Sequence, residues 1–202
     1  GQICIDGENC FNNPKLKSQI AFLGDTPYFL PQSDLKEMSR LYSEMYHDFD
    51  YGIYKHLLTV FPLDQRARLS TFSKGMQRQA SLILALSTNP RYLLMDESFD
   101  GLDAVMRRVL ANIIMDSVEK RGMTVVIASH NLRELENICD SVCVIHHGKI
   151  ISNGNIESLR GNIHKIQVAF RDVPDTSVFN SLYIMKMERT GSLLSLVVKG
   201  NE

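Results

Sequence analysis

The stretch Arg91-Tyr92-Leu93-Leu94-Met95-Asp96-Glu97 puts four large apolar residues in a row and closes them with two carboxylates. A run this short, entered from the breaker pair Asn89-Pro90, reads as a buried strand. Thr124-Val125-Val126-Ile127-Ala128-Ser129 is a second strand of the same kind. Between them, Ala104 to Lys120 has a helical pattern stopped by Gly122. Strands that are apolar along their whole length and alternate with helices argue for a parallel sheet covered on both faces. Ligands of such sheets sit at the carboxyl edge of the strands. Asp96 and Glu97 emerge at that edge.

The rest of the chain supports this frame. Gln2 to Gly7 alternates and ends in a turn signal, and Gln19 to Gly24 is a further short buried strand. Residues 33 to about 60 carry Leu, Met, Glu, Lys and Tyr at helical spacing. They predict two helices, with Ser33 as the N-cap and Pro62 near the end of the second. Ser73 caps a strong helix to Ser87, whose apolar face is Met76, Ala80, Ile83, Leu84 and Leu86. A short helix is expected over Leu132 to Ile138. A hairpin turns at His147-Gly148. Beyond about Asn162 the pattern becomes short alternating strands: Ile166 to Phe170, Leu182 to Met187 and Leu193 to Val198.

Composition removes several classes of function. Basic and acidic residues number 22 and 23 and nearly cancel. Binding of nucleic acid or anionic lipid through bulk charge gains no support from that balance. No apolar run approaches the roughly 20 residues needed to span a bilayer. The spacings of Cys4, Cys10, Cys139 and Cys143 match no standard zinc site, which points to reduced thiols in a cytosolic core.

Three constellations carry chemistry. Successive strand residues face opposite ways, so Asp96 and Glu97 can take different tasks. One can hold Mg²⁺ and the other can orient or deprotonate an attacking water. An isolated Asp-Glu pair is more often the plain start of a loop. The second strand, however, ends in His130, on a neighbouring strand edge. There an imidazole can donate to a phosphate oxygen. Finally, Phe72-Ser73-Lys74-Gly75-Met76-Gln77 opens a long helix, whose first N–H groups and dipole attract an anion. Taken alone, that is an ordinary helix cap.

Together these residues resemble the nucleotide-binding domain of ABC transporters. Phe72 to Met76 stands where that family has its Leu-Ser-Gly-Gly-Gln signature. Tyr92 to Asp96 is similar to the Walker B strand, and Glu97 to the catalytic glutamate. Ser98-Phe99-Asp100-Gly101-Leu102-Asp103 resembles the D-loop, and His130 the switch histidine. Gly148-Lys149-Ile150 with Asn153-Gly154 resembles the hairpin that closes the family's core. The order and spacing agree over residues 1 to about 158.

The resemblance implies a P-loop NTPase-like α/β fold with a mostly parallel sheet. A helical subdomain is inserted at about 27–88, and a small β-rich appendage follows over 159–202. It implies ATP and Mg²⁺ as ligands. Glu97 and His130 would be catalytic. Asp96 and, by register, Asp25 would serve the metal. Phe72, Ser73, Lys74, Gly75, Met76 and Asp103 would serve the nucleotide. It also implies a separate membrane-spanning subunit and pairing with a second nucleotide-binding subunit, as homodimer or heterodimer. The chain would then sit peripherally on the cytoplasmic face, powering an exporter-type transporter, with no nucleic acid expected.

The sequence departs from that pattern in definite places. No G-x-x-x-x-G-K-[ST] occurs, and Gly148-Lys149 is followed by Ile150. The phosphate-cradling Walker A loop is therefore not in these residues. The chain has no initiating Met, and the reading is an N-terminal truncation that leaves it inactive alone. The alternatives are a degenerate, non-hydrolysing ABC partner subunit and a non-transport ABC protein. Lys74 replaces the first signature Gly, Met76 the signature Gln, Asp25 a Gln, and Ser98 a common Pro.

Overall fold

The computed structural model describes residues 1–99, 101–131, 135–156, 163–170, 179 and 182–199. By compactness the chain divides into two units, Gly1–Leu135 and Glu136–Glu202. The boundary near 158 proposed from sequence follows a different criterion, the change in strand pattern.

The first unit opens with a small antiparallel hairpin, β1 (Cys4–Ile5) and β2 (Glu8–Asn9), and a short α1 (Pro14–Lys17). Its centre is a parallel sheet of β3 (Ile20–Leu23), β4 (Tyr92–Asp96) and β5 (Thr124–Ala128), in the order β3-β4-β5. The register sets Leu23 beside Met95 and Met95 beside Ile127, so the three strands end together at one edge.

One face of this sheet is core: Ala21, Leu23, Leu93 and Met95 are all buried. The helix α4 (Lys74–Ser87) packs here, and Leu82, Ile83, Leu84 and Leu86 within it are fully buried. Each such side chain contributes roughly 1.5–3 kcal/mol on burial, against about 1 kcal/mol for an N-cap such as Ser73. Packing, more than capping, therefore holds α4 in place. The opposite face corrects the expectation of a sheet covered on both sides. There Phe22 and Val126 flank Leu94 in register and are 66% and 57% exposed. An apolar run shows that a strand can be buried twice over; it does not supply the second covering layer. Among the described residues, the helices furnish one.

The helices α2 (Leu35–Met45) and α3 (Tyr51–Val60) are the two expected over this stretch, and both pack on α4. Leu35, Met38, Tyr54, Leu57 and Phe61 form its interior. The cap of α2 is Asp34, not Ser33. The Asp34 carboxylate accepts from the Glu37 N–H at 2.7 Å, and Glu37 accepts from the Asp34 N–H at 3.2 Å, a reciprocal capping box. Ser33 is buried, and its hydroxyl donates to the Leu30 carbonyl at 2.7 Å. The helix α3 starts from Asp50 and ends at Phe61, one residue before Pro62. The helix α5 (Ala104–Arg121) closes on Gly122 at φ +65°, a left-handed C-cap.

In the second unit, β6 (Ser141–His146) and β7 (Lys149–Asn155) form the expected hairpin. His147 and Gly148 both have positive φ, as a tight hairpin turn requires. The strands β8 (Ile163–Ala169), β9 (Tyr183–Thr190) and β10 (Leu193–Lys199) make an antiparallel sheet in the order β8-β10-β9. Leu194, Leu196 and Val198 are its buried row, packed with Phe170, Phe179 and Ile184. The helix expected over Leu132 to Ile138 falls in part outside the described residues. No described helix is long and apolar enough to cross a membrane. The cysteines are free thiols, but Cys4 and Cys143 are exposed and so are not core residues. Burial, with Asp140 nearby, raises the Cys139 thiol pKa.

Replacing Asp34 with Ala removes the capping box. Urea unfolding of the protein is expected to show a loss of about 1 kcal/mol. The same measurement on Asp34→Asn should show most of that stability retained.

Candidate functional site

Three exits meet at the carboxyl edge of the parallel sheet. Gly24 and Asp25 leave β3, Asp96 and Glu97 leave β4, and Ser129 and His130 leave β5. Parallel pairing makes this unavoidable, since strands in register run out at the same level.

Glu97 leaves the central strand of the three. Its φ of +47° lies in the left-handed region, uncommon for a residue with a Cβ. Its N–H donates to the Ala128 carbonyl at 2.9 Å and fastens the turn to the end of β5. The turned backbone carries the carboxylate to His130, where Oε2 lies 3.0 Å from Nδ1. Glu97 is mostly buried, with a side-chain exposure of 27%, whereas His130 is 73% exposed. The imidazole thus meets solvent with one edge and the acid with the other. Asp96, one residue earlier, is exposed. The two neighbouring acids occupy different environments, as strand alternation requires.

Behind this edge, Ser98 is 1% exposed. Its hydroxyl lies 3.3 Å from both the Leu23 and the Asp96 carbonyls, so one proton is shared between the ends of β3 and β4. Asp25 does not stand free. The Arg78 guanidinium donates through Nη2 to the Asp25 carbonyl at 2.7 Å and to its Oδ1 at 3.3 Å.

The remaining candidates lie at the starts of α4 and α5. Ser73 caps α4 by accepting from the Met76 N–H at 3.2 Å. Phe72 is buried and therefore packs in the core instead of presenting its ring to a ligand. Lys74 is exposed at the start of α4, and Gly75 and Met76 are half-buried. A Cβ on Gly75 would come within 3.2 Å of the Gly101 carbonyl, so the start of α4 lies against the turn before α5. Asp103 caps α5, its Oδ1 accepting from the N–H groups of Val105 and Met106 at 2.9 Å each. Asp100 lies outside the described residues.

Arg78 and the Ser98 hydroxyl escaped the sequence reading, as did the backbone turn at Glu97. A signal for Arg78 was present. It shares a helical stripe with Ser81 and Leu82, the latter fully buried, and a cation on a buried stripe needs a partner.

The fold has solved counterparts. An "ATP binding subunit of ABC transporter" superposes with a TM-score of 0.71 at 26% identity, covering 79% of this chain and 69% of that one. The fold is that of an ABC ATPase domain. A dimeric ATP-binding cassette in a post-hydrolysis state, bound to ADP and Pi, shares it at 17% identity with a TM-score of 0.65, covering 75% of this chain and 72% of the other. Among curated relatives, the ABC transporter ATP-binding protein YtrB of Bacillus subtilis is 26% identical over 170 residues. That alignment takes in 84% of this chain and 58% of the relative. The ABC transporter ATP-binding protein NatA of the same species is 29% identical over 167 residues, covering 79% and 67%. No protein-family profile matches the chain. The chain spans about half the length of the curated relatives it matches.

Replacing Ser98 with Ala leaves the ends of β3 and β4 without their shared donor. Equilibrium unfolding should register a cost of about 1 kcal/mol. A variant as stable as the parent would show that the hydroxyl contact does not contribute.

Proposed function

We propose that the protein to which these residues belong is the ATP-binding and ATP-hydrolysing subunit of an ABC transporter. One observation carries the reading: the 3.0 Å contact between Glu97 and His130 at the ends of neighbouring parallel strands. It joins a partly buried carboxylate to an exposed imidazole, where the sequence resemblance expects the residues that handle water and γ-phosphate. The phosphate-cradling loop is not among these 202 residues. The reading therefore concerns the whole protein.

In this scheme Glu97 polarises the attacking water, and His130 steadies both that carboxylate and the γ-phosphate. Phosphoryl transfer leaves little covalent chemistry for the protein, so position and electrostatics do most of the work. Asp96 fits a Mg²⁺ site of the kind that uses one or two carboxylates with substrate phosphates and water. Bound Mg²⁺ would neutralise charge on the phosphates. Asp25 enters from the neighbouring exit.

The exposed start of α4, with Ser73, Lys74 and Gly75, would meet the nucleotide held by a second subunit, in a head-to-tail dimer of two copies or of this chain and a paralogue. A membrane-spanning subunit would dock on the helical block, around Asp25 to Tyr54, and the protein would then sit on the cytoplasmic face. The export direction follows the resemblance to ATPases whose membrane subunits are separate chains.

A degenerate partner subunit is the second reading, favoured by Lys74 and Met76 in the signature stretch. Turnover separates the two. The full-length protein should hydrolyse ATP, and Glu97→Gln should abolish steady-state hydrolysis while leaving binding of radiolabelled ATP intact. Wild-type turnover by Glu97→Gln would overturn the assignment of Glu97. ATP-dependent dimerisation without hydrolysis by the parent's own site would favour the degenerate partner.

A further inference from the structure

The contact between Arg78 and Asp25 is not explained by the roles assigned so far. The Arg78 side chain is 12% exposed, although the Asp25 side chain it holds is 63% exposed. Nη2 makes both hydrogen bonds, to the Asp25 carbonyl and carboxylate. Nη1 is buried and has no hydrogen-bond acceptor among the described residues. Arg78 lines a narrow gap with Leu23, Gly24, Pro27, Leu82 and Ser98 that has no room for a water molecule.

As a device for stability this is poor. A half-exposed ion pair contributes little, and a buried guanidinium N–H without an acceptor is unfavourable. Met or Leu would fill the same space without an orphaned donor. What a guanidinium supplies, and an apolar side chain cannot, is direction. It fixes both the backbone and the carboxylate of Asp25 from one nitrogen, and it does so from the second turn of α4.

We propose that Arg78 is a positioning residue for ATP hydrolysis. It aims the Asp25 carboxylate along the sheet edge where Asp96 and Glu97 emerge, and it couples that aim to the start of α4. The inference rests on the ATPase reading above. Arg78 touches neither nucleotide nor water; it acts through Asp25. The Ser98 hydroxyl, on the Leu23 carbonyl, holds the end of β3 just before this exit.

The test uses the full-length protein and the variants Arg78→Met, Arg78→Lys, Asp25→Asn and the double variant Arg78→Met with Asp25→Asn. Three quantities are measured: kcat and KM for ATP, Mn²⁺ affinity in the presence of a non-hydrolysable ATP analogue, and melting temperature. Misplacing a reacting group by about 1 Å costs up to ~100-fold in rate, so Arg78→Met should lower kcat roughly 10- to 100-fold. It should leave KM within about twofold, because misplacement affects the reacting geometry more than ground-state binding. Mn²⁺ binding should weaken in parallel with kcat. In the Asp25→Asn background, Arg78→Met should have no further effect on either, since the two residues act as one unit. Arg78→Lys should restore part of the rate.

Independent, multiplying effects of the two substitutions would overturn the proposal. So would unchanged Mn²⁺ affinity, or a loss of activity that tracks only melting temperature across all variants. If Arg78→Met does not fold, Arg78→Lys alone decides: wild-type kcat and Mn²⁺ affinity with the shorter donor would refute directional positioning. An inactive parent protein would instead refute the ATPase reading.

Discussion

The parallel pairing of β3, β4 and β5 is the constraint on which the site depends. Its register makes three strands separated by long stretches of sequence end at one level. Only then do Asp25, Glu97 and His130 become neighbours along an edge. The register itself is fixed by burial. Ala21, Leu23, Leu93 and Met95 face α4, and a slip of one residue would turn them outward and put Phe22 and Leu94 in their place.

On that frame, local backbone detail decides what the acids can do. A residue continuing β4 would project Glu97 along the strand. The left-handed turn instead brings it beside His130, and the bond from its N–H to Ala128 holds the turn in place. Strain of this kind persists only where neighbours over-determine it. Here those neighbours are the hydrogen-bonded end of β5 and the buried Ser98.

The elements of this fold were legible wherever periodicity and punctuation agreed. The helix α4 combined a Ser cap with an apolar stripe, α5 ended on a glycine, and the β6–β7 hairpin turned on His147-Gly148. Ser33 misled because serine and aspartate both cap helices, and sequence alone does not show that Ser33 is spent on Leu30. The site was legible in its acids and its histidine, which stand at the ends of apolar runs. For Arg78 the sequence offered only a cation on a buried stripe, without its partner, and it offered nothing for the hydroxyl of Ser98. Their partners, Asp25 and Leu23, lie 53 and 75 residues away in sequence, and no local pattern reports such contacts. The open face of the sheet was hidden for a related reason, since a strand's composition records what it tolerates and its neighbours determine what it receives.

That open face has a consequence for colloidal behaviour. Phe22, Leu94 and Val126 lie side by side across three strands, a continuous apolar strip turned to water. The chain's formal net charge is −1 and its pI is about 6.7, so near neutral pH it has little electrostatic repulsion to keep copies apart. An apolar strip on a nearly uncharged particle favours self-association over dispersal. Handled by themselves, these residues should be most soluble well away from neutrality, where like charge opposes the contact that the strip invites.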